Sequence, residues 1–444
     1  MTNKPKFLIK SWGCQMNLYD SSRMADLLRP LGYEATEDQT EANLIILNTC
    51  HIREKASEKL FSELGRLRAL QEAREKEGKT LMLAVAGCVA QAGAEEIKRR
   101  APYVSMIFGP QTYHRLPEML ARAARAGEIV LDTEFPAEPK FDYLPDERGE
   151  NGVSVFLSVQ EGCNRFCSYC VVPYTRGVEY SRPLKDIENE ARLLVEQGVK
   201  EITLLGQNVN AYCDEDTGAG LGDVIMKLAA LDGLLRIRYT TSHPLDVRED
   251  LLEAHASVEK LMPYLHLPLQ SGSNKILEAM NRKHTSADYL KTIDRLRTAQ
   301  PALAFSSDFI VGFPGETDQD FEDTMKMVRN VTYAQAFSFK YSRRPGTPAA
   351  AMSEQVEEAV KEERLVQLQA LLRQQQTEFN DACAGKIMPV LFDSQSDVAG
   401  KMFGRTVFMQ AVRADGDLSL IGQERNVKMV HTAPNSLGGE VVGG

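Results

Sequence analysis

The sequence has no uninterrupted apolar run of the ~18 residues that a membrane-spanning helix needs. Its longest candidate, residues 81–94, is broken by Gly87, Cys88 and Gln91. The N-terminal stretch MTNKPKFLIKSWG also lacks the long apolar segment and small-residue cleavage site of a secretory signal. A cytoplasmic protein with no membrane association is expected. Positive charge is in deficit, with 52 Lys and Arg against 62 Asp and Glu and a net charge of −10. General adhesion to nucleic acid is thereby disfavoured, although a local basic patch suffices to contact phosphates. Arg99–Arg100, Arg282–Lys283 and Arg343–Arg344 are candidate pieces of such a patch, and each is equally readable as a solvated surface pair. Disulfides are not expected among the eight cysteines, because a reducing cytosol keeps thiols free.

What is present is an ordinary globular balance, 43% hydrophobic and 26% charged over 444 residues, enough for about two to four domains. Residues 6–14, 42–50 and 81–88 read as strands, followed by helical patterns over 21–31, 53–76 and 92–100. Alternating strands and helices imply a parallel sheet covered by helices. A Pro-containing acidic stretch around 134–150 reads as a linker. Six further strands are expected at 153–159, 201–205, 236–241, 264–269, 304–311 and 335–341, with helices between them, as at 184–197, 288–298 and 318–329. Six βα units are too few to close an eight-stranded barrel, so an open partial barrel is expected, with its chemistry at the C-terminal strand ends. A long polar helix over 354–380 leads to strand-like runs at 387–392, 406–412 and 427–431, broken by Gly and Asp turns. These suggest a small β-barrel. The expected fold class is α/β: an N-terminal parallel α/β domain (1–140), a partial (βα)6 barrel (141–375) and a small C-terminal β-barrel (376–444).

The densest chemical signal is EGCNRFCSYC, which places Cys163, Cys167 and Cys170 on one loop after the first barrel strand. A tetrahedral zinc site needs four ligands, and no fourth Cys or His lies close in sequence. A four-iron cluster can accept three protein thiolates and leave one iron open. By residues alone a zinc or redox cysteine cluster stays as the alternative. Cys14, Cys50 and Cys88 each end an expected strand, in SWGC, LNTC and AGC. In a parallel sheet such ends share one edge, and the helix N-termini that follow favour thiolates. Spacing this wide is equally compatible with three separate buried cysteines.

Cys-x3-Cys-x2-Cys with Tyr169 before the last Cys resembles the signature of the radical S-adenosylmethionine (SAM) superfamily. The resemblance implies SAM chelated at the open iron and cleaved by one electron to a 5′-deoxyadenosyl radical. The order of cysteine-bearing N-terminal domain, radical domain and small β-barrel is similar to the methylthiotransferase family, whose β-barrel is the RNA-binding TRAM module. SWGCQMN, LNTCHIREKA, EGCNRFCSYCVVPYTRG, LLGQNVNAY, LPLQSGS, SSDFIVGFPGET and YSRRPGTPAA resemble its tRNA-2-methylthio-N6-dimethylallyladenosine synthase branch (MiaB type). Trp12 stands where Tyr is commoner, and GRTVFMQAVRADG is a looser match to TRAM.

The resemblance implies two [4Fe-4S] clusters, on Cys14, Cys50 and Cys88 and on Cys163, Cys167 and Cys170, with no catalytic side chain beyond these ligands. It implies two SAM molecules per turnover and a methylthio group added to C2 of N6-isopentenyladenosine next to the anticodon (position 37). It also implies tRNA as partner, an electron donor of flavodoxin or ferredoxin type and a monomer. A relative acting on another adenosine modification or on a protein side chain is a competing reading. So is a non-enzymatic metal-binding RNA protein. Tyr169, Gln207, Asn208, Asn210, Ser242, Gln270 and Asp308 are candidate cofactor contacts at the strand ends, where some would serve only as caps. Arg176 and Arg182 are candidates for holding a carboxylate or phosphate. Gly312, Pro314 and Gly315 are expected to shape a loop. Cys213 and Cys383 carry no motif, and His243 and His266 are expected to be buried and hydrogen-bonded rather than metal-bound.

Overall fold

The computed structural model describes residues 4–50, 55–126, 129–149 and 151–443. Arg53 and Glu54, at the start of the helix expected over 53–76, lie outside the described residues, as do His51 and Ile52 of the LNTCHIREKA motif, Glu150 of the expected linker, and the terminal Met1 and Gly444. The chain forms two compact units, one of Met1–Glu150 with Glu161–Asn164 and Val171–Glu179, the other of Asn151–Gln160, Arg165–Cys170 and Tyr180–Gly444. No helix among the described residues is long and apolar enough to cross a membrane.

The first unit is a six-stranded parallel sheet of β1 (Lys6–Trp12), β2 (Glu34–Ala35), β3 (Leu44–Thr49), β4 (Met82–Ala86), β5 (Met106–Phe108) and β6 (Val130–Asp132). Their order is β2-β1-β3-β4-β5-β6. Helices α1 (Gln15–Leu28), α2 (Lys55–Lys76), α3 (Cys88–Arg100) and α4 (Leu116–Ala126) accompany the strands. β3 is apolar without alternation because both its faces are covered. Ile45 and Leu47 pack with Leu60, Leu64 and Leu67 of α2, while Leu44 and Ile46 pack with Met24 and Leu28 of α1. The sequence pattern did not announce β2, β5 and β6, which are two or three residues long and are defined by pairing rather than periodicity. α1 begins at Gln15, earlier than residue 21, because Gly13 at φ +131° turns the chain and Cys14 is already the extended residue before the helix. α3 begins at Cys88 for the same reason, after Gly87 at φ +86°.

The stretch expected as a linker is held against this unit. Arg148 pairs with Asp26 (3.2 Å) and Arg23 Nη2 donates to the Pro145 carbonyl (2.7 Å). A short helix, α5 (Val172–Arg176), joins the same unit. It is tied in by buried charges: Arg176 Nη2 donates to Asp20 Oδ2 (2.6 Å) and Nη1 to Glu161 Oε1 (3.4 Å). Lys140 Nζ lies 2.7 Å from Glu161 Oε1 and 3.6 Å from Asp20 Oδ1. Two cations and two carboxylates thus satisfy one another out of water.

The second unit opens with β7 (Ser154–Ser158), which is followed in the chain by the two-residue strands β8 (Gln160–Glu161), whose Glu161 belongs to the first unit, and β9 (Tyr180–Ser181). Then come β10 (Glu201–Leu205), β11 (Arg236–Tyr239), β12 (Tyr264–His266), β13 (Ala304–Val311) and β14 (Gln335–Lys340). The helices are α6 (Leu184–Glu196), α7 (Leu221–Ala229), α8 (Glu249–Ser257), α9 (Asn274–Ala279), α10 (Ser286–Ala299) and α11 (Asp318–Val331). β7, β10 and β11 form one parallel sheet and β12, β13 and β14 another. They join where Ile237 bridges Leu261 and accepts the Met262 N–H (3.0 Å). Six parallel strands in chain order make the open partial barrel. Ile202, Leu204, Ile237, Tyr239, Leu265, Phe305 and Phe309 form one core cluster with the helices, so the alternating residues face the inside.

After α12 (Glu358–Asp381), the strands β15 (Ile387–Gln395), β16 (Lys401–Thr406), β17 (Ala411–Asp415), β18 (Glu424–Ala433) and β19 (Ser436–Val441) close a barrel in the order β15-β16-β17-β19-β18. The strand expected at 406–412 is instead a turn between β16 and β17. Thr406 Oγ1 accepts the N–H groups of Phe408 (3.2 Å) and Gln410 (3.3 Å), and Met409 takes φ +68°. This barrel docks on the inside of the strands that begin β10 and β11. Arg236, 0% exposed, donates to Glu424 Oε2 (2.6 Å) and to the carbonyls of Arg405 (2.7 Å) and Pro389 (3.2 Å). Arg238 donates to Glu201 (2.9 Å) and to the carbonyls of Thr406 (2.8 Å) and Val407 (2.9 Å).

Two stability predictions follow from these buried charges. Removing one partner of a buried pair strands the other. Asp20→Ala should therefore cost ~3–5 kcal/mol, read as a lower urea midpoint. Arg236→Ala should cost ~3 kcal/mol and detach the C-terminal barrel, seen as faster proteolysis after Asp381. A loss below ~1 kcal/mol in either variant, the size of an exposed pair, would contradict the assignment.

Candidate functional site

Parallel pairing sets β1, β3 and β4 side by side, with Trp12 opposite Thr49 and Asn48 opposite Ala86. Cys14, Cys50 and Cys88 follow these three strands at one edge. The backbone approaches closely here: a Cβ on Gly13 would lie 2.2 Å from Cys50 Cβ, and one on Gly87 would lie 2.4 Å from Asn48 Oδ1. Cys14 Sγ donates to Asn17 Oδ1 (3.1 Å), and Asn17 Nδ2 donates to Asn48 Oδ1 (3.0 Å). The Cys14 thiol is lowered to about 6, first by its hydrogen bond with Cys50 and then by Arg176. Burial pushes the Cys88 thiol up, against the pull of Arg176. The Cys14 thiol is thus lowered by its neighbours Cys50 and Arg176, while for Cys88 desolvation prevails. Burial works to lower Arg176, yet Asp20, Cys88, Glu161 and Cys14 hold it well above its usual range. A buried cation beside the Cys14 and Cys88 thiols suits an anionic thiolate-bound centre. Among the described residues no group of three or more His, Cys, Asp or Glu is placed to hold a single metal ion. Thiolates on separate irons of one cluster need no shared metal atom.

Cys163 lies in the first unit and Cys167 and Cys170 in the second. The Cys163 N–H donates to the Gly177 carbonyl (3.2 Å). Gly162, at φ +74°, has no room for a side chain, since its Cβ would lie 1.9 Å from the Val178 carbonyl oxygen. In the second unit the Cys170 N–H donates to the Cys167 carbonyl (2.9 Å) and the Ser168 N–H to the Met280 carbonyl (3.0 Å). Asn281 Nδ2 donates to the Phe166 carbonyl (2.9 Å). Phe166, Gln270, Asn281 and Lys283 all take positive φ. For a bulky residue such as Phe166 that is a strained backbone held by its surroundings. Arg282 sits between two of these residues and is buried, not a surface base as expected from the Arg282–Lys283 pair. Its Nη1 lies 3.6 Å from Cys167 Sγ and its Nη2 donates to the Pro268 carbonyl (2.7 Å). Against the lowering effect of burial, Tyr169, Cys167 and Cys170 raise its pKa. Tyr169 meets Phe313 edge-on at 6.5 Å, and burial pushes its phenol well up.

The other candidates follow the strand ends. The N–H groups of Gln207 (3.0 Å) and Asn208 (3.4 Å) donate to Gln160 Oε1. Asn208 Nδ2 donates to Asp246 Oδ2 (2.7 Å), while its buried Oδ1 has no hydrogen-bond partner among the described residues. Asp246 also pairs with Arg165. Asn210 spends both ends of its amide on the backbone of His243, and Ser242 Oγ donates to the Thr240 carbonyl (3.3 Å). Gln270 exchanges backbone hydrogen bonds with Asp308 (2.9 Å) and Ile310 (2.9 Å). Asp308 Oδ2 stands 3.5 Å from His266 Nε2.

His243 Nδ1 caps Leu245 N–H (3.3 Å) and burial pushes that ring down. His266 Nδ1 meets Ser306 Oγ at 2.9 Å. Arg182 is engaged by the Ser158 carbonyl (2.7 Å) and Glu190 (2.8 Å). Gly312 and Gly315 take positive φ in their loop. Cys213 is exposed and Cys383 is in the C-terminal barrel core. Arg100 lies over the Phe61 ring and pairs with Glu96 (3.0 Å), and Arg343 is exposed. The sequence reading missed Arg282, Asp246 and the Asp20–Lys140–Glu161 group. Only Glu161 lay inside a motif; the rest are distant in sequence from what they touch.

Residues 157–328 match the radical SAM superfamily, and residues 6–109 match a family described as uncharacterized protein family UPF0004. A tRNA-2-methylthio-N(6)-dimethylallyladenosine synthase of Agrobacterium fabrum is 55% identical over 449 aligned residues, covering 100% of this chain and 98% of that protein. Among solved structures, the radical SAM methyltransferase TsrM from Kitasatospora setae aligns at TM-score 0.58 and 13% identity, over 87% of this chain and 78% of that one. The cobalamin-dependent SAM radical enzyme OxsB aligns at TM-score 0.53 and 12% identity, over 83% of this chain and 56% of that one. These two likenesses speak for the fold alone. Full-length identity of this degree, on a chain carrying the radical SAM match, places the protein in the tRNA-2-methylthio-N(6)-dimethylallyladenosine synthase family of radical SAM enzymes.

Proposed function

We propose that this protein is a methylthiotransferase that adds a methylthio group to C2 of N6-isopentenyladenosine next to the anticodon of tRNA (position 37), using two SAM molecules and two [4Fe-4S] clusters. The substrate reading is supported by the full-length relative named for that reaction. Membership of the radical SAM superfamily implies one [4Fe-4S] cluster and SAM. The observation that carries the second cluster is the meeting of the Cys14, Cys50 and Cys88 strand ends at one sheet edge, with the buried Arg176 beside Cys14 and Cys88.

In this reading Cys163, Cys167 and Cys170 hold the cluster that meets SAM, and Cys14, Cys50 and Cys88 hold the other. When bound, the clusters supply the electron that splits SAM and a site for the sulfur to be transferred. The chain's own residues supply charge balance and orientation. Arg282 and Arg176 are permanent buried cations that offset thiolate charge. Asn208 offers an unpaired buried carbonyl oxygen to an ammonium or hydroxyl of SAM, with Asp246 fixing its orientation. Asn210 holds the β10 and β11 loops together through His243. A single-stranded anticodon loop can turn one base out to such a site. The electron donor is a flavodoxin or ferredoxin, and the protein acts as a monomer in the cytoplasm.

An anaerobic reaction of reconstituted protein, SAM, reductant and prenylated tRNA, read by nucleoside mass spectrometry, tests the proposal. It should give the methylthiolated nucleoside together with 5′-deoxyadenosine. Cys167→Ala should abolish both products. Cys50→Ala should retain some 5′-deoxyadenosine and yield no methylthiolated nucleoside. Product from the Cys50→Ala protein would remove the second cluster from the reaction.

A further inference from the structure

The last barrel strand spends its residues the wrong way round for a strand that only supports a core. Along β14 the helix-facing positions are Ala336, Ser338 and Lys340, and Lys340 pairs with Glu358 (2.6 Å) and Glu362 (2.7 Å) of α12. The opposite positions, toward the inside of the barrel, are Gln335, Phe337 and Phe339. The two phenylalanines are 47% and 50% exposed. A strand packed under a helix normally turns its apolar side to that helix. Here two aromatic rings, two residues apart, stay half-exposed on the opposite face instead.

The neighbours of the two rings are residues of the same unit. Phe337 pairs in register with Asp308, and Phe339 with Ile310. The Phe337 ring meets His266 edge-on at 6.3 Å. His266 is held by Ser306 and lies beside the Asp308 carboxylate. At the beginning of the strands the inner face is occupied, because Arg236 and Arg238 bind the C-terminal barrel there. Farther along β14 the Phe337 and Phe339 rings on that face are half-exposed.

We propose that Phe337 and Phe339 form the surface that receives the prenylated adenine of the substrate and reads its prenyl group. The inference rests on the function proposed above and names residues for its substrate. The chemistry matches: a flat π-face and a branched five-carbon chain call for aromatic surface, and the neighbouring His266 and Asp308 supply polar contacts at its border. Two half-exposed rings otherwise cost hydrophobic surface in water, and a bound base with its prenyl chain removes that cost.

Equilibrium binding of prenylated and unprenylated anticodon stem-loop RNA to the reconstituted full-length protein tests this. The unsubstituted protein should prefer the prenylated RNA. In the Phe337→Ala, Phe339→Ala double variant, affinity for prenylated RNA should fall by about tenfold or more, the scale of one lost base–aromatic contact. Unprenylated RNA should change far less, so that the preference disappears. Tyr at both positions should restore it, which a merely structural role would not predict. Thermal unfolding checks that the variants fold, and Phe339→Ala alone serves if the double variant does not. An unchanged preference in folded alanine variants overturns the proposal. So does an equal loss for both RNAs, or a parent protein with no preference. A parent protein that prefers prenylated RNA yet never methylthiolates it sinks the proposed function and leaves the recognition surface standing.

Discussion

Under the proposed function the cluster thiols would carry negative charge away from water and would require a buried cation beside them, since an uncompensated buried charge is among the most costly features a fold can hold. Arg176 and Arg282 meet that requirement, and much else in the structure serves them. Arg176 is itself buried and needs Asp20 and Glu161; Lys140 balances that pair of carboxylates. This is why residues 161–164 and 171–179 are folded into the first unit, and why the 134–150 stretch is clasped to α1 instead of hanging free. Arg282 is anchored through the Pro268 carbonyl and flanked by two residues in left-handed conformation.

The second constraint is distance. Three thiols reach one edge because parallel register makes neighbours of strands that are far apart in sequence. They approach each other only because Gly13 and Gly87 leave out a Cβ that would collide with Cys50 and Asn48. The same edge is then locked by Asn17 Nδ2 donating to Asn48 Oδ1 and Asn48 Nδ2 donating to the Asn17 backbone carbonyl. Gly162 performs the corresponding role where the chain passes Val178. Strain at Phe166 and Gln270 and close glycine contacts fall at the proposed site, where the surrounding packing holds the backbone in place.

The βα alternation, the six barrel strands and the C-terminal change to β-structure were legible in the sequence because hydrophobic periodicity follows directly from local geometry. Both cysteine sets proposed as cluster ligands were singled out for a related reason, motif spacing in EGCNRFCSYC and strand-end placement for Cys14, Cys50 and Cys88, and of these the structure shows the strand-end placement. The short strands β2, β5 and β6 were not, because two or three residues carry no period. The 406–412 run had strand composition, yet Thr406 uses its hydroxyl to fold it into a turn. Arg282 looked like half of a surface basic pair, and nothing local distinguishes a guanidinium that meets Cys167 from one that meets water.

By itself, then, the sequence determined the order of elements, the parallel sheet, the partial barrel and the placement of the two sets of cysteines proposed as cluster ligands. Each of these depends on local conformation or on short spacing. The tertiary structure alone decided which charges are buried together, which side of β14 is left uncovered, and how the C-terminal barrel plugs the inner face through Arg236 and Arg238. Those outcomes depend on contacts between residues tens to hundreds of positions apart, such as Arg236 with Glu424 and Asp20 with Arg176. No periodicity or motif encodes such pairs; they exist only once the strands are stacked in register.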